Sequence, residues 1–160
     1  PALAPLIAMT AWSRRAVDRA REAGNPDAAI TGWMGSWLPA MRKGALLAQT
    51  GHWPRATAFA DHLLTRRAPH EIAQGAWIRA AHAQSLGHLD DVRTHAALAV
   101  RLDPYHVDAW LLLADHAIHT SRTGAEALVD AALRVAFRHL RTGPEIDALQ
   151  QWRTDYSRGG

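Results

Sequence analysis

Four glycines are spaced along the sequence at the intervals expected for successive helical hairpins. They are Gly24, Gly51, Gly87 and Gly124. The residue five positions after each glycine is small or β-branched: Ala29, Ala56, Val92 and Val129. A proline follows each glycine after 15 to 20 residues: Pro39, Pro69, Pro104 and Pro144. Glycine accepts the left-handed backbone angles that end a helix, a small residue lets two helices cross closely, and proline stops the preceding helix. The pattern therefore predicts successive helical hairpins.

The segments between these residues have the composition and periodicity of amphipathic helices. Alanine is the most frequent residue, and apolar side chains recur at positions i, i+3 and i+4. Residues that favour strands are too sparse to build a sheet. We therefore predict an all-α fold with helices over 10–23, 27–36, 40–50, 54–67, 72–86, 90–102, 107–120, 124–141 and 145–156. Asn25 is a candidate N-cap for the second of these helices.

Residues 73–106 carry the pattern most completely, with Trp77 in the first helix, Gly87 in the turn, Ala96 and Ala99 in the second helix, and Pro104 at the end. This arrangement resembles the tetratricopeptide repeat (TPR) family. The unit that begins at Ala109-Trp110-Leu111 and the unit around Gly51, Ala56 and Ala60 resemble it less fully. The resemblance implies a right-handed α-α superhelix, a solenoid of stacked TPR-like hairpins.

On this basis the chain divides into three parts. Residues 1–36 would form an irregular N-terminal helical hairpin or cap. Residues 37–140 would form three repeats, at about 37–70, 73–106 and 107–140. Residues 141–160 would form a C-terminal capping helix and tail.

The resemblance also implies a binding surface. In the family, the first helix of each repeat lines a concave face that holds a peptide segment or a helix of a partner. The matching positions in the best repeat are Gln74, Trp77, Ala81, Gln84 and Ser85. Those in the next repeat are Asp108, Leu111, Leu112, Asp115 and His119. These sets lack the lysine and asparagine with which some members hold a free C-terminus, so we expect an internal peptide segment or a helix instead.

The residue types offer little for catalysis. There is no cysteine, and none of the serines lies in a nucleophile motif. The best metal candidate is His116 with His119 and Asp115, but no second ligand pair accompanies them. We therefore expect a non-enzymatic protein without a metal or a cofactor.

The seven tryptophans leave two interpretations open. Trp77 and Trp110 are 33 residues apart, close to the family period, which favours a place in the repeat core. Trp33, Trp37, Trp53 and Trp152 are candidates for exposed interface anchors, because tryptophan is enriched at binding hot spots.

The net charge, the composition and the N-terminal residues give only weak indications of the partner and the compartment. The net charge is +3 without a basic stripe, so we expect no nucleic-acid partner. Abundant arginine and alanine suggest a GC-rich bacterial genome, which leaves the cytoplasm and the periplasm open. The apolar residues 1–12 are interpreted as a packed cap, although a truncated membrane segment is the alternative.

Two functions therefore remain open. The leading hypothesis is a scaffold that binds a partner protein. The alternative, which the first residue Pro1 favours, is an accessory docking or dimerisation domain of a larger enzyme or membrane protein. A homo-oligomer is compatible with either.

Overall fold

The computed structural model describes residues 40–159, with side chains from Gly44 onward, and all regular structure in this range is helical. The helices are α1 (Ala40–Gln49), α2 (Trp53–Leu64), α3 (Pro69–Leu86), α4 (Leu89–Leu102), α5 (Val107–His119), α6 (Ala125–Arg138) and α7 (Pro144–Gly159). The prediction of an all-α fold is confirmed for these residues. The predicted helices 10–23 and 27–36, the N-terminal hairpin 1–36 and the Asn25 cap lie outside the described residues.

Two of the predicted glycine turns have the expected geometry. Gly51 and Gly87 adopt left-handed φ angles of 76° and 74°. The next backbone N–H, from His52 or His88, donates to the helix carbonyl five residues back, at 2.8 and 2.9 Å. This hydrogen bond satisfies a carbonyl that the helix end would leave unpaired. Each pair of helices is therefore joined by a turn of two or three residues.

The residues five positions after these glycines are buried as predicted. Ala56 of α2 and Val92 of α4 have almost no exposed surface. Their small or compact side chains allow the helices of each hairpin to approach closely.

The third turn differs from the prediction. Ser121, with φ of 50°, occupies the left-handed position after α5, and the Arg122 N–H donates to the Ala117 carbonyl at 2.9 Å. Gly124 instead stands immediately before α6. Helix α6 also ends earlier than predicted, at Arg138, because Leu140 turns the chain with φ of 52°.

The contacts between helices follow an alternating order. Each helix packs on the next one, and α1, α3, α5 and α7 also contact one another in succession. The described even-numbered helices make no such contacts with each other. The odd-numbered helices therefore form one continuous layer, and the even-numbered helices lie outside it.

Two apolar clusters form the core. The larger joins α1 to α5 through residues such as Leu47, Ile78 and Leu112. The smaller joins α5, α6 and α7 through residues such as Val129 and Ile146. They meet at α5, where Trp110 packs against both, so one core runs the length of the described chain.

Candidate protein-binding groove

A cavity of ≈ 240 Å³ opens between the end of α1, the start of α2 and the second half of α3. It is lined by Ala48, Gln49, Trp53, Trp77, Ala81, Gln84 and Ser85, and we call it the groove. Small alanines on α1 and α3 leave the space open. The polar side chains Gln49, Gln84 and Ser85 provide donors and acceptors around it.

Two tryptophans form the floor of the groove. Trp77, which the resemblance also assigned to the concave surface, is 7% exposed and belongs to the larger core cluster. Trp53, at the first position of α2, is half-buried, and its ring stacks on His82 with centroids 5.1 Å apart. The groove therefore has aromatic side chains from both α2 and α3 in its lining.

Polar contacts connect the groove to α5. Gln84 Nε2 lies 3.4 Å from Asp115 Oδ2. The other carboxylate oxygen of Asp115 lies 3.2 Å from His119 Nδ1, which also contacts the Asp115 backbone carbonyl at 2.8 Å. The predicted surface residues Ala81, Gln84, Asp115 and His119 are all at least partly exposed. They follow one another across α3 and α5.

A buried polar network lies beside Trp77 and joins α3 to α5. His106, the N-cap of α5, accepts the Ala109 N–H at Nδ1 over 3.1 Å. Its Nε2 donates to Oε1 of the buried Gln74 at 2.6 Å, and its ring lies 5.9 Å from that of Trp77. Burial lowers the pKa of His106 below its ordinary value, although Asp108 and Asp103 act in the opposite direction. Burial therefore favours the neutral form of the ring.

Four residues that the resemblance assigned to the concave surface have contacts inside the fold. Gln74 makes the network just described. Leu111 and Leu112 are buried, one in each core cluster. Asp108 is partly buried and accepts a hydrogen bond from Arg141 Nη2 at 2.6 Å, which ties α5 to the loop before α7. These side chains position the helices and contribute little surface to a partner.

The groove also contains residues that the resemblance did not assign. Ala48 and Gln49 come from α1, whose repeat has an irregular opening, so no family positions could be transferred there. Trp53 was identified only as a candidate interface anchor. Its place two residues after Gly51, at the mouth of a hairpin turn, is the sequence signal that indicates this position.

Histidines do not assemble a metal site in the described range. No three His, Cys, Asp or Glu side chains there are close enough together to hold an ion. Within the predicted candidate set, His116 is buried whereas His119 is exposed, so the two imidazoles do not share a surface. Between residues 40 and 159, no helix has the length and apolar character needed to cross a membrane.

No protein-family model, no curated protein and no solved structure matches this chain.

Proposed function

We propose that this chain is a non-enzymatic protein-interaction module. In this proposal, TPR-like hairpins stack into a right-handed superhelix that binds a peptide segment or a helix of a partner protein. The observation that supports it most directly is the open groove between the first two described hairpins, with Trp53 and Trp77 on its floor.

The size of the groove favours a side chain of a peptide over a free small molecule. Small-molecule sites commonly enclose about 300–1,000 Å³. The groove, at ≈ 240 Å³, is smaller and open to solvent on one side. One large apolar side chain suits such a space, and partly exposed tryptophan is a frequent hot-spot residue in protein interfaces.

The order of the helices supports a longer contact along the layer. Because α3 and α5 are in contact, a partly exposed surface leads from the groove residues Ala81 and Gln84 to Asp115 and His119 on α5. Amide, hydroxyl and carboxylate groups along this path can pair with the backbone of a bound segment. The mixed polar and apolar lining favours an internal peptide segment or an amphipathic helix.

Ala81→Arg tests this proposal. Ala81 is half-buried at the groove, so an arginine there would fill the cavity while its charged end reaches solvent. Ala97→Arg on the exposed face of α4 is the matched control, because it makes the same change within a helix away from the groove. Charge substitutions at Leu111 or Leu112 would be unsuitable, since both side chains are buried in the core.

We expect both variants to fold, as judged by circular dichroism and thermal melting. Partner proteins recovered by affinity purification with the wild type and Ala97→Arg should be depleted about tenfold or more with Ala81→Arg, since the arginine removes the central pocket of the interface. Equal recovery with Ala81→Arg and Ala97→Arg would count against the groove as the binding site.

A further inference from the structure

A second surface lies at the end of α6 and exposes three large apolar side chains. Tyr105, Phe137 and Leu140 are 54%, 48% and 85% exposed. A cavity of ≈ 280 Å³ beside Phe137 and Leu140 reaches Ile146 of α7. We call the surface formed by Tyr105, Arg134, Phe137, Arg138 and Leu140 the α6 patch. None of its residues lines the groove.

Leu140 has a backbone conformation that is unfavourable for leucine. Its φ of 52° places it in the left-handed region, at the helix-end position where glycine is the usual residue. This conformation is sterically unfavourable for leucine. The exposed side chain makes almost no packing contacts that could compensate. Strained residues of this kind concentrate at functional sites.

The two arginines of the α6 patch form no ion pair with the described carboxylates. Arg134 and Arg138 lie one turn apart on α6, are exposed, and form no ion pair with any residue the structure describes. Arg138 covers the ring of Tyr105 at 5.7 Å.

The side chains around the α6 patch contribute to its net charge. His139 lies beside Tyr105 with ring centroids 6.1 Å apart. Arg141 is neutralised by Asp108, and Asp147 stands on the α7 side of the cavity. Of the described charges around the exposed apolar side chains, the unpaired Arg134 and Arg138 outnumber the carboxylate of Asp147, so the balance is positive.

From these features we infer that the α6 patch binds an acidic segment of a partner protein, in which a large apolar side chain is flanked by aspartate or glutamate. The apolar side chain would pack on Phe137 and Leu140. The flanking carboxylates would pair with Arg134 and Arg138, for which guanidinium groups have suitable bidentate geometry. This surface would act in addition to the groove.

The test uses short random peptides displayed on phage and selected on the immobilised full chain. We expect the enriched peptides to contain leucine, phenylalanine or tryptophan next to two or more acidic residues. Binding of one synthetic enriched peptide, followed by fluorescence anisotropy, should weaken as the salt rises from about 50 to about 300 mM. Enrichment of peptides without an acidic excess, or no enrichment, would overturn the inference.

Two variants separate the patch from general effects of charge. Arg138→Glu should weaken binding of that peptide about tenfold or more, by placing like charges together. Arg93→Glu, at an exposed position of α4 without an ion pair in the described chain, should leave it unchanged. Equal affinity of the wild type and Arg138→Glu would contradict the inference. Ala81→Arg should bind the peptide normally, which separates failure of this surface from failure of the groove.

Leu140→Gly distinguishes a role of Leu140 in peptide binding from a role in folding. Glycine relieves the left-handed strain, so the melting temperature should rise, while the loss of the apolar anchor should weaken peptide binding at least severalfold. A variant that binds the peptide as tightly as the wild type would exclude Leu140 as the anchor.

Discussion

His106 uses both ring nitrogens to join two helices. Because Nδ1 accepts the Ala109 N–H, the ring proton resides on Nε2, from which it is donated to Gln74. A second proton on Nδ1 would remove the acceptor that caps α5 and would place a charge in a buried site. Burial, the main cause of the lowered pKa, acts in the same direction.

We expect this histidine to make stability depend on pH. The folded pKa is lower than the unfolded value of about 6.5, so its stabilising contribution is complete above that value. The contribution is lost as pH falls from there toward the folded pKa, because the unfolded chain then binds the extra proton. One such group can change the free energy of unfolding by at most about 1.4 kcal/mol per pH unit.

His106→Asn isolates this contribution. Asparagine is a good N-cap and does not titrate. Urea denaturation of the wild type and the variant at several pH values between about 7 and 5 should show a shallower decline for the variant. Parallel declines would mean that His106 is not the group responsible. The nearby charges Asp103, Asp108 and Arg141 are the same in both proteins.

The two groove tryptophans should differ in their contribution to stability. Trp77 is buried in the core, so Trp77→Ala should reduce the free energy of unfolding by about 3–5 kcal/mol. Trp53 is only half-buried, and we expect a smaller loss for Trp53→Ala. Chemical denaturation of both variants measures the difference. Equal losses would contradict the distinction between a core position and a surface anchor.

At the scale of elements, the crossing of α2 and α3 depends on Gly75. A Cβ atom added there would lie 2.9 Å from the Ala60 carbonyl oxygen and 3.2 Å from Leu63 Cβ. The carbonyl belongs to the backbone of α2, so the contact can be relieved only by moving the helix. Glycine in the middle of a helix is thus explained by packing between hairpins.

Gly75→Ala should therefore destabilise the protein. Alanine improves helix propensity by about 1 kcal/mol. Overpacking at a close helix crossing typically costs about 1–3 kcal/mol, so we expect a net loss in urea denaturation. Ala97→Gly, at an exposed position of α4, measures the propensity effect alone. If Gly75→Ala proves more stable than the wild type, the helices are not packed as closely as described.

Helix positions from residue 40 onward could be predicted because glycine and proline mark most of their ends. The turns at Gly51 and Gly87 follow from the backbone preferences of glycine. The structure starts α3 at Pro69 and α7 at Pro144, three residues and one residue before the predicted starts at 72 and 145. The left-handed positions at Ser121 and Leu140 could not be predicted. Neither residue type favours that conformation, so the sequence carries no local signal for it.

At the scale of the whole molecule, the resemblance assigned residues of the groove on α3 alone, although α1 and α2 also form it. Ala81 and Gln84 line the groove, whereas Asp115 and His119 lie beyond it on α5. Leu111 and Leu112 lie inside, since a family position specifies only a helix face. How deeply a side chain is buried depends on the size of its neighbours in the adjoining hairpin. That α1 and Trp53 also line the groove is evident only from the packing of the helices.

Site-specific photo-crosslinking tests the central claim that the groove binds a partner protein. A photoreactive phenylalanine analogue would replace Ala81 in one protein and Ala97 in another, each expressed in cells that produce the native chain. The proposed function predicts a discrete crosslinked product with a partner protein from position 81 and none from position 97. No product from position 81, or the same products from both positions, would contradict it.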